Sequence, residues 1–210
     1  EPEGAGYRVD DVHDFVSNVL CTDVDFGYDG RMYISDWVEG WEQAGNGRIL
    51  TVHDPRHVDD PAILEAGRVI AEGFDELDRS TLVRLLGHED QRIRLRSQFE
   101  IADRGSTTSE SLQQVAMLDE RRLARIHAIW ALGMQARSVD DPTVILDPLM
   151  PLLQDADPEI RGQTARILGE ARMKSAGAAL VDLIFDPEPR VVYHATMAVG
   201  RMGYIDRLDA

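Results

Sequence analysis

The sequence predicts a mainly α-helical protein, in which a helical solenoid follows a small antiparallel β-sheet unit. Three observations predict this fold. Residues 1–52 of the 210-residue chain contain short runs of alternating polar and apolar side chains around an Asp-Gly pair. Beyond residue 61 the apolar period becomes that of helices. Two segments of this helical part align without gaps at an offset of 31 residues, which is typical of stacked repeats.

The β-sheet unit is predicted from three short strands. Residues 22–26 and 31–37 alternate polar and apolar side chains on either side of Asp29-Gly30. This order favours a hairpin, because glycine accepts the positive φ that a tight turn demands. Residues 47–52 add a third strand and residues 7–9 a possible short fourth. We therefore expect one antiparallel sheet of three or four strands.

The predicted organisation has two structured parts joined by a linker. Prolines and aspartates interrupt both periodicities at residues 53–61. The β segment is assigned to residues 1–52, the linker to residues 53–61 and the α-solenoid to residues 62–210. The solenoid comprises one leading helix and about four helix pairs.

Each repeat is predicted to be a helix, a short acidic turn and a second helix. The offset of 31 residues aligns Leu149, Leu152, Leu153, Asp155, Pro158, Ile160, Leu168 and Gly169 with Leu180, Leu183, Ile184, Asp186, Pro189, Val191, Val199 and Gly200. At the start of a second helix, Asp157 is a good N-cap, Pro158 suits the first helical position and Glu159 complements the helix dipole. Such a pair cannot bury its apolar face alone, so successive pairs stack.

Charge and composition exclude several function classes. The chain has 22 Lys and Arg against 38 Asp and Glu, a net charge of -16, which disfavours binding to nucleic acid or to anionic lipid. No apolar run is long enough to span a membrane. A single cysteine, Cys21, excludes an internal disulfide, a Cys-rich zinc site and a CxxCH haem attachment within this chain. We expect no cofactor and no catalytic activity in this segment.

The repeat motifs resemble a known family. Residues 155–161 read Asp-Ala-Asp-Pro-Glu-Ile-Arg and residues 165–169 read Ala-Arg-Ile-Leu-Gly. They resemble HEAT repeats, particularly the short bacterial kind also named for phycobilisome lyases. The resemblance implies an armadillo-type α-α superhelix and says little about function.

The front segment adds a second resemblance. Residues 22–37 resemble one blade of a glucose/sorbosone-dehydrogenase-type β-propeller, here followed by Gly-Asn-Gly-Arg-Ile at residues 45–49 and then by the repeats. Leu123, His127 and the Trp-Ala-Leu run at residues 130–132 fit the same order. Together they resemble the planctomycete-type membrane-bound dehydrogenase-like or haem-binding proteins, of which this chain would be a fragment from the middle.

That second resemblance implies an exported or periplasmic protein with an N-terminal propeller, a HEAT solenoid and usually a C-terminal cytochrome c domain. The remaining propeller blades and the downstream domain would then be the partners of this chain, and its role that of a non-catalytic connector. The alternative is a free-standing HEAT module that holds a protein partner on its concave face. A third hypothesis is a tetrapyrrole-protein lyase. Because a lone blade leaves strand edges open, we expect self-association or a disordered first 20 residues.

Acidic and aromatic residues of the blade-like segment are the first candidate site. Asp23, Asp25 and Asp29 are carboxylates that a calcium ion would accept, but they lack the spacing of a calcium loop, and turn chemistry is the favoured interpretation. Trp37 and Trp41 either offer a contact surface for a flat partner or pack against the following helix, and packing is favoured.

Basic residues of the repeats are the second candidate site. Arg94, Arg125 and Arg161 are predicted to lie on an interaction surface for an acidic peptide, with pairing to nearby acids as the alternative. His127 is expected to be a core residue rather than a haem ligand. His53 and His57 flank Pro55, so metal binding by this pair is disfavoured.

Overall fold

A computed structural model of the chain describes residues 1–38 and 45–204. By contacts, these residues form two compact units: a smaller unit of residues 9–73 and a larger unit of residues 1–8 and 74–210. The strands are β1 (Pro2–Glu3), β2 (Gly6–Tyr7), β3 (Cys21–Phe26), β4 (Met32–Asp36) and β5 (Arg48–Val52). The α-helices are α1 (Pro61–Glu72), α2 (Arg79–Leu85), α3 (Gln91–Asp103), α4 (Ser109–Leu118), α5 (Arg122–Ala136), α6 (Thr143–Leu146), α7 (Pro158–Glu170), α8 (Gly177–Asp182) and α9 (Pro189–Met202).

The smaller unit contains an antiparallel sheet in the order β3-β4-β5, followed by α1. The predicted hairpin is confirmed: Gly30 has a φ of 72° in the turn, and the Gly27 N–H donates to the Arg31 carbonyl at 2.8 Å. A methyl group at Gly67 would lie 3.1 Å from the Tyr28 carbonyl oxygen, so α1 passes close to this turn. On the central strand, Ile34 is buried.

The four-stranded version of this sheet is wrong. Tyr7, at the predicted fourth strand, lies in β2, which pairs with β1 in a separate hairpin of the larger unit. Gly4 has a φ of 58°, which lets the chain turn back so early, and the Arg8 N–H donates to the Glu1 carbonyl at 2.8 Å. A local partner thus satisfies this strand before it reaches the sheet.

The boundary between the two compact units lies between residues 73 and 74, one helix beyond the predicted linker at residues 53–61. Helix α1, at the position predicted for the leading helix, groups by contacts with the sheet rather than with the repeats. Asp60 caps it through a hydrogen bond from the Ala62 N–H at 2.9 Å.

The larger unit stacks four helix pairs, as predicted. In each pair, a first helical segment is followed by a longer second helix, and the second helices α3, α5, α7 and α9 pack side by side in chain order. Leucine and isoleucine side chains from both layers fill the core, and those with no measurable exposure include Leu82, Leu85, Ile129, Leu132, Ile160 and Leu168. The chain is therefore a mainly α-helical solenoid preceded by a small antiparallel β-sheet unit.

The first segments of the last two pairs differ from the regular helices that were expected. Residues Asp147–Gln154 form a 3₁₀ helix after the four-residue α6, and Leu183–Phe185 form another after α8. Pro148 and Pro151 lack the N–H that an α-helix would use, and the tighter helix accommodates them.

The second helices begin largely as predicted. Asp157 is the N-cap of α7, and its side chain accepts the Glu159 N–H at 2.9 Å. At α9 the extra proline moves the N-cap to Glu188, while Asp186 accepts the N–H of that residue at 2.9 Å. Two prolines in a row of four residues therefore shift this helix start by two positions.

Candidate interaction surface

Arg94, predicted on an interaction surface, lies instead inside the solenoid with only 9% of its surface exposed. Its Nη1 donates to the carbonyl oxygens of His88 and Glu89 at 2.7 and 2.8 Å. Its Nε donates to His127 Nε2 at 3.2 Å. A guanidinium with these partners supports the turn before α3 and is withdrawn from any docking protein.

Arg125 joins two successive repeats. Its Nε donates to the Ala116 carbonyl at 2.8 Å, and its Nη2 forms an ion pair with Asp155, 30 residues further along the chain. The prediction weighed a contact with adjacent acids against a free surface, and the partner is an acid of the next repeat. Burial alone would raise the pKa of the Asp155 carboxyl, but the hydrogen bonds from Arg125 and from the Asp157 N–H hold that pKa below its usual value.

Arg161 repeats this arrangement one step further along the solenoid. Its Nη1 donates to the Asp155 carbonyl at 2.7 Å, and Nε and Nη2 donate to the Asp186 carboxylate at 2.8 and 2.9 Å. The hydrogen bonds from Arg161 lower the pKa of Asp186, and the same contact raises the pKa of Arg161. The three arginines predicted for partner binding thus hold turn to turn along one edge of the stack.

His127 is the core residue that the sequence led us to expect. Its Nδ1 lies 2.7 Å from Gln98 Oε1, while its Nε2 accepts the hydrogen bond from Arg94, which makes the imidazole neutral with the proton on Nδ1. Burial, with a smaller contribution from the Arg94 charge, lowers the pKa of His127 to about 4. The indole of Trp130 packs edge-on against the ring and donates to Gln163 Oε1 at 2.8 Å.

The aromatic candidates of the β unit are only partly described. The Trp37 side chain is 39% exposed, and its backbone N–H donates to the Leu20 carbonyl at 3.0 Å. Trp41 lies outside the described residues. Whether these two residues form a contact surface stays a prediction.

The acidic candidates of the β unit are engaged in local hydrogen bonds. Asp23 and Asp25 accept the N–H groups of Val24 and Phe26, both at 2.8 Å, and Asp29 accepts the Tyr33 hydroxyl at 2.9 Å. These contacts favour turn and strand chemistry over calcium binding. Across residues 1–38 and 45–204, no three His, Cys, Asp or Glu side chains are grouped so that they could hold a metal ion.

A different set of arginines remains exposed on the second helices. We call it the α7–α9 basic face: Arg137 at the end of α5, Arg166 on α7, and Arg190 and Arg201 on α9. Glu170 contacts three of them, with Arg137 and Arg166 both at 3.0 Å and Arg201 at 3.7 Å, while Glu159 contacts Arg190 at 3.2 Å. The sequence reasoning missed this set because it singled out arginines near helix starts, whereas the informative signal was helical position relative to the buried residues.

Two comparisons with known proteins bear on the class of this solenoid. The family model described as HEAT repeats matches residues 146–210, which include the last two helix pairs. No curated protein matches the chain. The helical part is thus HEAT-like, and HEAT repeats suggest a protein-interaction scaffold.

Membrane insertion was also examined in the helices. Among the residues that the structure describes, no helix is both long enough and apolar enough to cross a membrane.

Proposed function

We propose that this chain is a non-catalytic scaffold whose helical repeats hold protein domains at fixed positions. The ion pairs between repeats carry this proposal. Arg125 binds Asp155 and Arg161 binds Asp186, and in each case the two residues belong to successive helix pairs. Largely buried pairs of this kind oppose sliding or opening between repeats, because separation would leave a desolvated charge without its partner.

Close backbone approach between the second helices supports the same role. A methyl group at Gly133 would lie 2.8 Å from Ile167 Cδ1, and one at Gly169 would lie 2.5 Å from the Cα atom of Ala198. The glycines of α5 and α7 therefore let the following helix pack unusually close. A stack held in this way is stiff, as a spacer between domains needs to be.

The more specific proposal is that the chain connects parts of an exported redox protein. Its support is the resemblance of residues 22–37 to a propeller blade and the order of blade, linker and repeats. In this proposal the other blades and a downstream cytochrome domain are the partners, the compartment is periplasmic or extracellular, and any cofactor belongs to those domains.

The experiment that tests the proposed context is determination of the open reading frame around this segment. Further blade-like hairpins upstream together with CxxCH downstream would support the connector. A reading frame that codes for the repeats with neither feature would overturn it and leave the alternative, a free-standing interaction module.

A further inference from the structure

We propose that the exposed surface of α7 and α9 binds an extended acidic peptide segment that carries an aromatic side chain. The inference rests on the proposed function, since it names the partner chemistry of a protein-interaction scaffold. Its residues differ from the arginines that the sequence indicated. Charge, exposed apolar side chains and a segment of the chain itself all point to this partner.

Charge is the first argument. The four second helices carry nine arginines and four acidic residues, although the whole chain has a net charge of -16. On the α7–α9 basic face, four guanidinium groups share two carboxylates, and their side chains are between 41% and 66% exposed. This surplus of positive charge attracts carboxylates to a limited region of an otherwise acidic molecule.

The half-buried imidazole of His194 lies among these arginines. Burial lowers its pKa, and the charges of Arg190 and Arg166 lower it further, against a smaller opposing effect of Glu159. The protonated imidazole is therefore disfavoured where the guanidinium groups converge. This result agrees with a positive local potential, which the two glutamates leave only partly neutralised.

Apolar side chains occupy the centre of the same helix face. Arg190, Tyr193, Met197 and Arg201 follow one another along α9 at spacings of three or four residues, so they form one stripe on its surface. Tyr193 and Met197 are 52% and 41% exposed. Two apolar side chains between two arginines suit a peptide that alternates an aromatic residue with carboxylates, because a ring packs in the middle while the acids reach the ends.

A segment of the chain itself shows this chemistry at one end of the stripe. The β1–β2 hairpin carries Glu1, Glu3 and Tyr7 and belongs to the larger unit. The Tyr7 ring lies 5.9 Å from the Arg190 guanidinium carbon, and Arg190 Nη1 donates to the Tyr7 hydroxyl at 3.5 Å. An acidic strand that bears a tyrosine thus already contacts the proposed surface, and the rest of the stripe remains exposed for a partner.

The test is fluorescence anisotropy with the full 210-residue chain and a labelled synthetic peptide of repeated Glu-Asp-Tyr. A Gly-Ser-Tyr peptide of equal length and a single-stranded oligonucleotide of equal charge serve as comparison probes. We expect the acidic peptide to bind and its affinity to fall about tenfold as salt rises from about 0.05 to about 0.5 M, since exposed charges are screened. The neutral peptide and the oligonucleotide should bind at least about tenfold more weakly.

Variants locate the binding on this surface. Arg201→Glu should weaken the acidic peptide about tenfold, whereas Glu170→Gln, which removes a competing carboxylate, should strengthen it. Arg96→Glu is the matched control, because Arg96 is exposed on α3 and undergoes the same charge reversal away from this face. Circular dichroism of each variant verifies that the helices remain folded.

The proposal is overturned if the acidic peptide does not bind, if the oligonucleotide binds as well, or if Arg96→Glu weakens binding as much as Arg201→Glu. Weaker binding by a folded Glu170→Gln variant would also contradict it. None of these outcomes bears on the open reading frame, so the partner chemistry and the proposed scaffold context fail separately.

Discussion

Arg161 and Asp186 form a bidentate ion pair across 25 residues of chain, with Nε and Nη2 at 2.8 and 2.9 Å from the two carboxylate oxygens. Their side chains are 13% and 6% exposed. The pair joins the start of α7 to the turn before α9, and Arg125 joins α5 to the preceding turn in the same way through Asp155. The repeats are therefore coupled by specific contacts as well as by apolar packing.

Loss of the Arg161 guanidinium should be costly. We expect Arg161→Met to lower the free energy of unfolding by about 3 kcal/mol, because Asp186 is then left largely buried without its partner. Urea unfolding followed by far-UV circular dichroism measures the change. Arg68→Ala is the control: Arg68 pairs with Glu72 at 2.6 Å on exposed α1, and we expect a change of about 0.5 kcal/mol or less. Equal effects of both substitutions would contradict the structural role of Arg161.

Two glycines at equivalent repeat positions should respond oppositely to alanine. A methyl group at Gly169 would lie 2.5 Å from the Cα atom of Ala198, so Gly169→Ala forces α7 and α9 apart and should cost about 2 kcal/mol or more. At Gly200 nothing lies within 4 Å of the added methyl group. Gly200→Ala should therefore stabilise α9 by up to about 1 kcal/mol, through helix propensity alone.

Thermal unfolding of the two glycine variants checks this contrast. The melting temperature should fall for Gly169→Ala and rise or stay unchanged for Gly200→Ala. If both variants changed stability in the same direction and by the same amount, the close approach of α7 and α9 at Gly169 would not be what distinguishes them.

Local chemistry made much of the fold predictable. The Asp29-Gly30 pair predicts its hairpin because the positive φ is a property of a single residue, and Gly30 has that φ. Asp157 predicts the start of α7 because an N-cap bonds to N–H groups two or three residues away. The repeat offset predicts four stacked pairs, since each offset position returns to the same place in the packing.

Long-range partners were the part that the sequence did not reveal. Arg94 and Arg161 occupy the same place after an isoleucine, yet Arg94 donates to nearby carbonyls and His127, while Arg161 reaches Asp186. Nothing in the local pattern distinguishes these outcomes, because they depend on which residue the neighbouring helix presents. The same limit hid Arg166 and Arg201, whose common contact with Glu170 exists only once α7 and α9 are packed.

The N-cap of α7 gives a smaller and purely local prediction. Asp157→Ala removes the acceptor of the Glu159 N–H and should cost about 1 kcal/mol. Asp157→Asn keeps a side-chain oxygen that can accept this bond and should cost less. Chemical denaturation of the two variants separates capping from charge, and an asparagine variant as unstable as the alanine variant would assign the effect to charge.

The buried imidazole of His127 predicts a specific pH dependence. Burial and the Arg94 charge hold its pKa at about 4, below the ordinary value of 6.5 that it regains on unfolding. The folded state therefore binds fewer protons than the unfolded state between these values, so the stabilisation is complete above about pH 6.5 and is lost as the pH falls towards 4. The full loss amounts to about 3 kcal/mol.

Comparison with a non-titrating variant isolates this contribution from the carboxylates, which also titrate in acid. The free energy of unfolding of the unmodified chain should fall by about 2–3 kcal/mol more than that of His127→Gln between pH 7.5 and pH 4.5. His13→Gln, which removes an exposed imidazole, serves as the control and should follow the unmodified chain. Parallel pH profiles for His127→Gln and the unmodified chain would mean that the imidazole charges without disturbing its hydrogen bonds to Gln98 and Arg94. Because protonated Nε2 can no longer accept from Arg94, the structure predicts divergence of the two profiles below about pH 6.5.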